Sequence, residues 1–251
     1  MGSKTRNMHL GVPYRTAELM LRPWMLAMTR RDWRGQENLG RHGDGMIVAP
    51  NHISWFDPLV IAHFLHDSGR PPRFMGKQSV FEVPFIGTLI KGAGQIPVQR
   101  DSDPTRALAA AEAAVRAGEC LVMYPEGTIT RDPGIWPMRG RTGALRVALE
   151  TGVPVVPVAQ WGANKVMAPY AKQLRLLPPK QMQVIAGAPL DIDDLRGQRV
   201  TREVLEEGTQ RLMAAITALL EVLRGEKAPP QRFDWVLERE RRAAQQIEEV
   251  D

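Results

Sequence analysis

Apolar positions along this chain fall into short dense runs that alternate in type. The runs at 46–49, 73–75, 95–99, 120–124, 153–159 and 182–186 are brief, bounded by polar or glycine- and proline-bearing stretches, and read as buried strands. Between them lie helical patterns at 58–65, at 105–117 closed by Gly118, and at 142–150 closed by Gly152. Later, Val204, Leu205, Leu212, Met213, Ile216, Leu219, Leu220 and Leu223 recur at helical spacing, which predicts one amphipathic helix over 202–224. Alternation of this kind predicts an α/β fold, a largely parallel mixed sheet covered by helices. Ligands in such folds sit outside the carboxyl ends of the strands.

Residues 1–35 depart from that pattern. They hold seven basic residues, Lys4, Arg6, Arg15, Arg22, Arg30, Arg31 and Arg34, against two acids, Glu18 and Asp32. Leu19, Met20, Leu21, Trp24, Met25, Leu26 and Met28 are interleaved with them. Tryptophan and arginine suit a lipid headgroup boundary, so the segment is expected to be an amphipathic, helical, membrane-docking one, with Leu21, Trp24 and Met25 entering lipid. The other reading is a helix packed on the domain's own core. No run approaches the roughly 18–20 apolar residues of a spanning helix; the best, 17–28, is interrupted by Glu18, Arg22 and Pro23. The expected division is therefore 1–35 for docking, 36–226 for a central domain, and 227–251 for a charged helix or tail.

Composition narrows the partners. The chain has 251 residues, a net charge of +5 and a pI near 9.6, which favours an anionic partner: a membrane, a nucleic acid or a phosphorylated substrate. The basic excess is concentrated near one end and no aromatic-basic recognition motif occurs, so nucleic acid is not expected. The single cysteine, Cys120, lies inside a predicted strand and reads as core packing; no cysteine-rich metal site exists, and no metal is expected.

The chemistry gathers where two apolar runs end. Asn51-His52-Ile53-Ser54-Trp55-Phe56-Asp57 follows the first, and Tyr124-Pro125-Glu126-Gly127-Thr128 ends another. Residues five apart on a helix point about 140° apart, so His52 and Asp57 meet only if the chain turns between them. Asp57-Pro58 supports that turn by looking like a helix cap followed by proline at the first helical position. Asp57 is thus either a plain cap or the carboxylate partner of His52. Ser54 lacks the nucleophile-elbow pattern and reads as a loop hydroxyl.

Four blocks in order then resemble the glycerophosphate/lysophosphatidate acyltransferase family, of the 1-acyl-sn-glycerol-3-phosphate acyltransferase type. Asn51-His52 to Asp57 resembles N-H-x-x-x-x-D. The stretch from Lys77 to Arg100, with Pro84-Phe85-Ile86-Gly87 inside it, ends in Gly94 to Arg100, like G-x-I-x-x-x-R. Tyr124 to Thr128 resembles F-P-E-G-T with tyrosine for phenylalanine, and the run from Val153 through Pro157 to Val158 resembles V-P-V-I-P-V. Lys77-Gln78-Ser79 lacks the acid often found after the family's lysine, and the basic residue downstream of the third block is read as Arg139.

The resemblance implies an enzyme that moves a fatty acyl group from a thioester to the sn-2 hydroxyl of 1-acylglycerol 3-phosphate. Glycerol 3-phosphate or another lysophospholipid remains an alternative acceptor, and a non-catalytic peripheral lipid-binding protein an alternative class. His52 is the expected general base, with Asp57 fixing its tautomer. Arg100, Glu126, Gly127, Thr128 and Lys77 are the expected acceptor-binding residues, although Arg100 also reads as a surface residue and 126–128 as a structural turn. No cofactor is expected; acyl-CoA or an acyl-carrier-protein thioester is the co-substrate. The expected place is peripheral, on the cytoplasmic face of an anionic membrane.

Overall fold

A computed structural model describes residues 12–41, 43–84, 86–98 and 104–248. Seven strands form its sheet: β1 (Thr29–Arg34), β2 (Met46–Pro50), β3 (Pro72–Lys77), β4 (Ile96–Val98), β5 (Cys120–Val122), β6 (Val155–Trp161) and β7 (Lys180–Ala186). Their order is β1-β7-β6-β2-β5-β3-β4, and every neighbouring pair is parallel except β6 with β7. The expected largely parallel, mixed sheet is therefore present. Strand β1 lies in a stretch assigned to the docking segment: Thr29–Arg34 is an edge strand in register with 180–185. Its sequence, Thr-Arg-Arg-Asp-Trp-Arg, has too few apolar residues to signal a strand; pairing along β7 forms it.

Helices cover both faces. They are α1 (Val12–Met28), α2 (Asp57–Asp67), α3 (Gln78–Phe81), α4 (Ile86–Gly92), α5 (Pro104–Arg116), α6 (Gly143–Thr151), α7 (Ala163–Val166), α8 (Arg202–Arg224) and α9 (Trp235–Glu248). The two-residue period of the strands divides the core. Met46 and Val48 of β2, with Cys120 and Val122 of β5, join the cluster beneath α1 and α2. Ile47, Ala49 and Leu121 join the other, beneath α5, α6 and α8. Helix α8 occupies the predicted span, with Leu205, Leu212, Met213, Ile216 and Leu220 buried. Thr201 caps it by accepting from the Val204 N–H at 3.4 Å, and Gly225 ends it in the left-handed region, φ 65°.

The terminal segments are tied to this body. In α1, Met25 is buried and Trp24 meets Phe56 edge-on at 5.9 Å between ring centroids. Arg22 and Arg31 both pair with Asp67, and Arg34 pairs with Asp32. Met25 and Trp24 of the expected lipid-facing set are thus directed inward, and Arg22, Arg31 and Arg34 are ion-paired. Among the exposed apolar side chains are Val12, Leu19, Met20, Leu21 and Leu26 on α1, Trp55 after β2, and Val83 between α3 and α4; Leu19 is 75% exposed and Trp55 61%. At the other end, α9 begins against the body: the Arg131 guanidinium lies between the rings of Trp235 and Tyr170, 4.1 and 4.7 Å from their centroids. No helix among the described residues is long and apolar enough to cross a membrane.

Candidate active site

Two neighbouring parallel strands deliver the site. Strands β2 and β5 run side by side with Val48 opposite Val122, so the loops that follow them leave the same edge of the sheet together. The Met123 N–H donates to the Val48 carbonyl at 3.0 Å, which carries the pairing one residue past β5. His52 and Glu126, 74 positions apart in sequence, meet there: the His52 backbone N–H donates to Glu126 Oε1 at 2.9 Å.

The turn required between His52 and Asp57 is present. His52 Nδ1 lies 2.7 Å from Asp57 Oδ2, and the same oxygen accepts the backbone N–H groups of Ile53 and Ser54, at 2.5 and 2.8 Å. Asp57 opens α2, but its carboxylate faces back along the loop. It binds N–H groups that precede the helix and not those of the first turn, so it is no ordinary cap. It is fully buried; burial raises its pKa, and His52 with the two N–H groups oppose that rise. Ser54 donates to the Met167 carbonyl at 2.7 Å and accepts from the Phe56 N–H at 3.0 Å, a loop-holding hydroxyl as expected. Asn51, buried, exchanges hydrogen bonds with Gln160 of β6: its Oδ1 accepts from the Gln160 N–H at 2.8 Å and its Nδ2 donates to the Gln160 carbonyl at 3.2 Å. This fastens the start of the loop to the sheet, a role that the spacing of the motif alone did not reveal.

Glu126 differs from the expectation that it meets the acceptor. Its Oε1 holds His52 and its Oε2 accepts from the Met138 N–H at 2.9 Å, and the residue is 3% exposed. It is a strut beneath the histidine loop. Burial pushes its pKa up to about 8 against the pull of those two N–H groups. Gly127 has φ 69°, a left-handed conformation, and a Cβ there would lie 2.8 Å from Arg141 Nε. Glycine thus permits the turn and leaves room for Arg141. Thr128 Oγ1 lies 3.4 Å from the hydroxyl of Tyr170, which itself donates to the Ile129 carbonyl at 2.6 Å. Lys77 ends β3 with its backbone opposite Val98. Arg100 lies outside the described residues. Arg139, read as the downstream base, turns away to Asp234 and Glu206. Among the described residues, the cation lining the cavity at its His52 end is Arg141, whose backbone N–H donates to the Pro125 carbonyl at 2.7 Å. Two arginines two positions apart cannot be told apart by pattern; the turn decides which faces the site.

Next to the dyad is a cavity of about 670 Å³. His52, Tyr124, Gly127 and Arg141 mark the end at the sheet edge, and Pro58, Leu59, Ala62, Phe74, Met75, Phe81 and Ile90 are among its apolar lining. Helix α1 closes one side with Tyr14, Glu18, Leu21, Arg22 and Met25. The far wall is polar. His66 lies 3.0 Å from Glu18 and 3.2 Å from the Tyr14 hydroxyl, and His63 packs edge-on against Trp33. Burial lowers the pKa of His63 to about 4, so it is neutral at ordinary pH.

The α/β sheet thus carries a histidine–carboxylate pair at the carboxyl edge of adjacent parallel strands, above a largely apolar cavity. Residues 30–161 match the family model described as Acyltransferase, and the chain belongs to that family. It is 31% identical over 141 residues to the chloroplastic 1-acyl-sn-glycerol-3-phosphate acyltransferase BAT2 of Brassica napus, covering 55% of this chain and 39% of that protein. It is 35% identical over 116 residues to a lyso-ornithine lipid O-acyltransferase of Pseudomonas aeruginosa, covering 45% of this chain and 42% of that one. The chain thus spans half the length or less of the curated relatives it matches. The 1-acyl-sn-glycerophosphate acyltransferase PlsC of Thermotoga maritima shares the fold, with a TM-score of 0.65 at 20% identity over 86% of this chain and 81% of that one.

Proposed function

We propose that this protein transfers a fatty acyl group from an acyl thioester to the sn-2 hydroxyl of 1-acylglycerol 3-phosphate, giving phosphatidate. The observation that carries the reading is the His52–Asp57 contact of 2.7 Å at the end of an apolar cavity. With Asp57 accepting the Nδ1 proton, the imidazole lone pair is on Nε2. Nε2 takes the proton of the acceptor hydroxyl as its oxygen bonds to the thioester carbonyl carbon. The C–S bond then breaks, and the departing thiolate takes the proton from the imidazolium, which returns His52 to its starting form. The carboxylate offsets the imidazolium charge in between. The apolar cavity suits the acyl chain, Arg141 suits the acceptor phosphate at the cavity end, and Arg100 is a second phosphate ligand by the motif it ends. Coenzyme A or acyl carrier protein carries the acyl group. The enzyme works peripherally on an anionic membrane, with Leu19, Met20, Trp55 and Val83 as its exposed apolar contacts.

The test is an acyl-transfer assay offering 1-acylglycerol 3-phosphate, glycerol 3-phosphate, lyso-ornithine lipid and neutral lysolipids. Transfer to 1-acylglycerol 3-phosphate is expected to dominate, and His52→Ala is expected to lower it by at least three orders of magnitude while the protein still melts cooperatively. Turnover near the wild-type rate in a folded His52→Ala variant would remove the base mechanism. Faster transfer to lyso-ornithine lipid would reassign the acceptor.

A further inference from the structure

Two buried polar atoms beside the dyad have no hydrogen-bond partner, and they are complementary. One is Asp57 Oδ1: every bond to this carboxylate described above goes to Oδ2, and Oδ1 has none. The other is the hydroxyl of Tyr124. Both groups flank the same imidazole. Asp57 Oδ2 lies 2.7 Å from Nδ1, and the Tyr124 ring stacks on the ring face, with centroids 4.2 Å apart and planes 24° from parallel. A buried donor and a buried acceptor both left bare each forfeit a hydrogen bond that water would have supplied, and native interiors rarely leave such pairs unused.

We infer that Tyr124 is a positioning residue for the dyad: its phenolic O–H, directly or through one buried water, donates to Asp57 Oδ1, the oxygen that His52 does not use. This rests on the reading of His52 and Asp57 as the reacting pair. A single water accepting from the Tyr124 O–H and donating to Asp57 Oδ1 satisfies both groups. The Asp57 charge acts on the phenol, since after burial it is the next cause of a Tyr124 pKa well above the usual tyrosine value. The phenol therefore stays protonated and remains a donor. In this chain the motif places tyrosine where the resembling pattern has phenylalanine, so the hydroxyl is an addition to a stacking ring and not a requirement of the turn.

The consequence is a tuned base. A donor on Oδ1 draws charge from the carboxylate and weakens its hold on imidazolium, which lowers the basicity of His52. The other groups facing His52 are Glu126, buried on its backbone N–H, and Arg141 on the cavity wall. Neither changes in Tyr124→Phe, which keeps the ring and removes only the hydroxyl.

The decisive experiment follows the His52 ring by NMR across pH. The His52→Ala spectrum assigns its signal among the five histidines. Tyr124→Phe is expected to raise the His52 titration midpoint by about half to one pH unit, and to move the acid limb of the kcat/KM profile by the same amount. In an Asp57→Asn background the same substitution should shift the midpoint little, because no carboxylate is left to carry the effect. Superimposable titrations of wild type and Tyr124→Phe overturn the inference. So does a shift that persists in full without the Asp57 carboxylate, which would trace it to ring stacking. The titration needs no turnover, so its outcome is separate from whether His52→Ala abolishes acyl transfer.

Discussion

Glu126 shows what a single residue's partners do to a functional reading. By sequence it stands at the exit of a strand beside a glycine turn, a natural place to meet a substrate hydroxyl. In the fold each of its carboxylate oxygens accepts one backbone N–H, from His52 and from Met138. An amide in its place can accept at only one of its two terminal atoms. Glu126→Gln is therefore expected to cost about 1–3 kcal/mol in denaturant unfolding, and to lower kcat through a loosened His52 loop. Unchanged stability and rate would mean that the strut is dispensable. His63 gives a second expectation, in pH. Its folded pKa is depressed to about 4 from 6.5, so between those values the unfolded chain binds the extra proton. Stability contributed by neutral His63 is complete above pH 6.5 and is lost as pH falls towards 4. His63→Leu should flatten that part of the stability curve in melts taken from pH 7 to 4. An equally steep acid limb in the variant would place the burial cost elsewhere.

Helices α1 and α2 act together as the walls of the cavity. Near the dyad the contact is apolar, Trp24 against Phe56 just before α2; at the far end it is polar, His66 against Tyr14 and Glu18. On α2 the lining residues Pro58, Leu59, Ala62, His63 and His66 form one stripe at helical spacing, running away from Asp57. At about 1.5 Å per residue, Ala62 stands roughly 7–8 Å along the helix from Asp57. An acyl chain entering from the dyad passes it. Ala62→Phe should therefore block the distal half of the cavity and move the preferred donor to a shorter acyl chain, by several carbons in a panel of acyl-CoA lengths. The rate with the shortest donors should remain. A uniform loss across all lengths would show that the chain does not run along α2.

For the whole molecule, the proposed membrane contact draws on those apolar side chains of the segment that folding leaves exposed, Leu19 and Met20, together with Trp55. Met25 is in the core, Trp24 is packed, and Arg22 and Arg31 are engaged with Asp67. Screening over about 8 Å at physiological salt weakens attraction by the exposed Arg15 and Arg30, whereas burial of apolar side chains in lipid survives it. A variant with Leu19, Met20 and Trp55 all changed to Ser is expected to lose the salt-resistant part of binding to vesicles of phosphatidylglycerol and phosphatidylcholine. Arg15→Gln with Arg30→Gln should lose the salt-sensitive part. Co-sedimentation at low and high salt reads both, and binding that neither variant weakens would place the contact on another surface.

The sequence by itself determined what depends on local periodicity and on short motifs. Six strands and the helices over 58–65, 105–117, 142–150 and 202–224 were legible because each buries enough apolar surface to show its own period. The meeting of His52 and Asp57 was legible because a proline-led helix start supports the turn that joins them, and their roles because the ordered blocks resemble those of a known family. Only the tertiary structure decided the rest. Strand β1 exists through pairing with β7, a partner roughly 150 residues away, and its polar sequence carries no period of its own. The choice of Arg141 over Arg139 at the cavity, and the conversion of Glu126 from ligand to strut, follow from which way a loop turns after it meets a neighbouring strand's loop. The inward side of α1 was likewise settled by contacts. An amphipathic helix has one apolar face whether it covers a core or a membrane, and contacts with Phe56 just before α2 and with His66 and Asp67 on it fix which side chains of α1 turn inward.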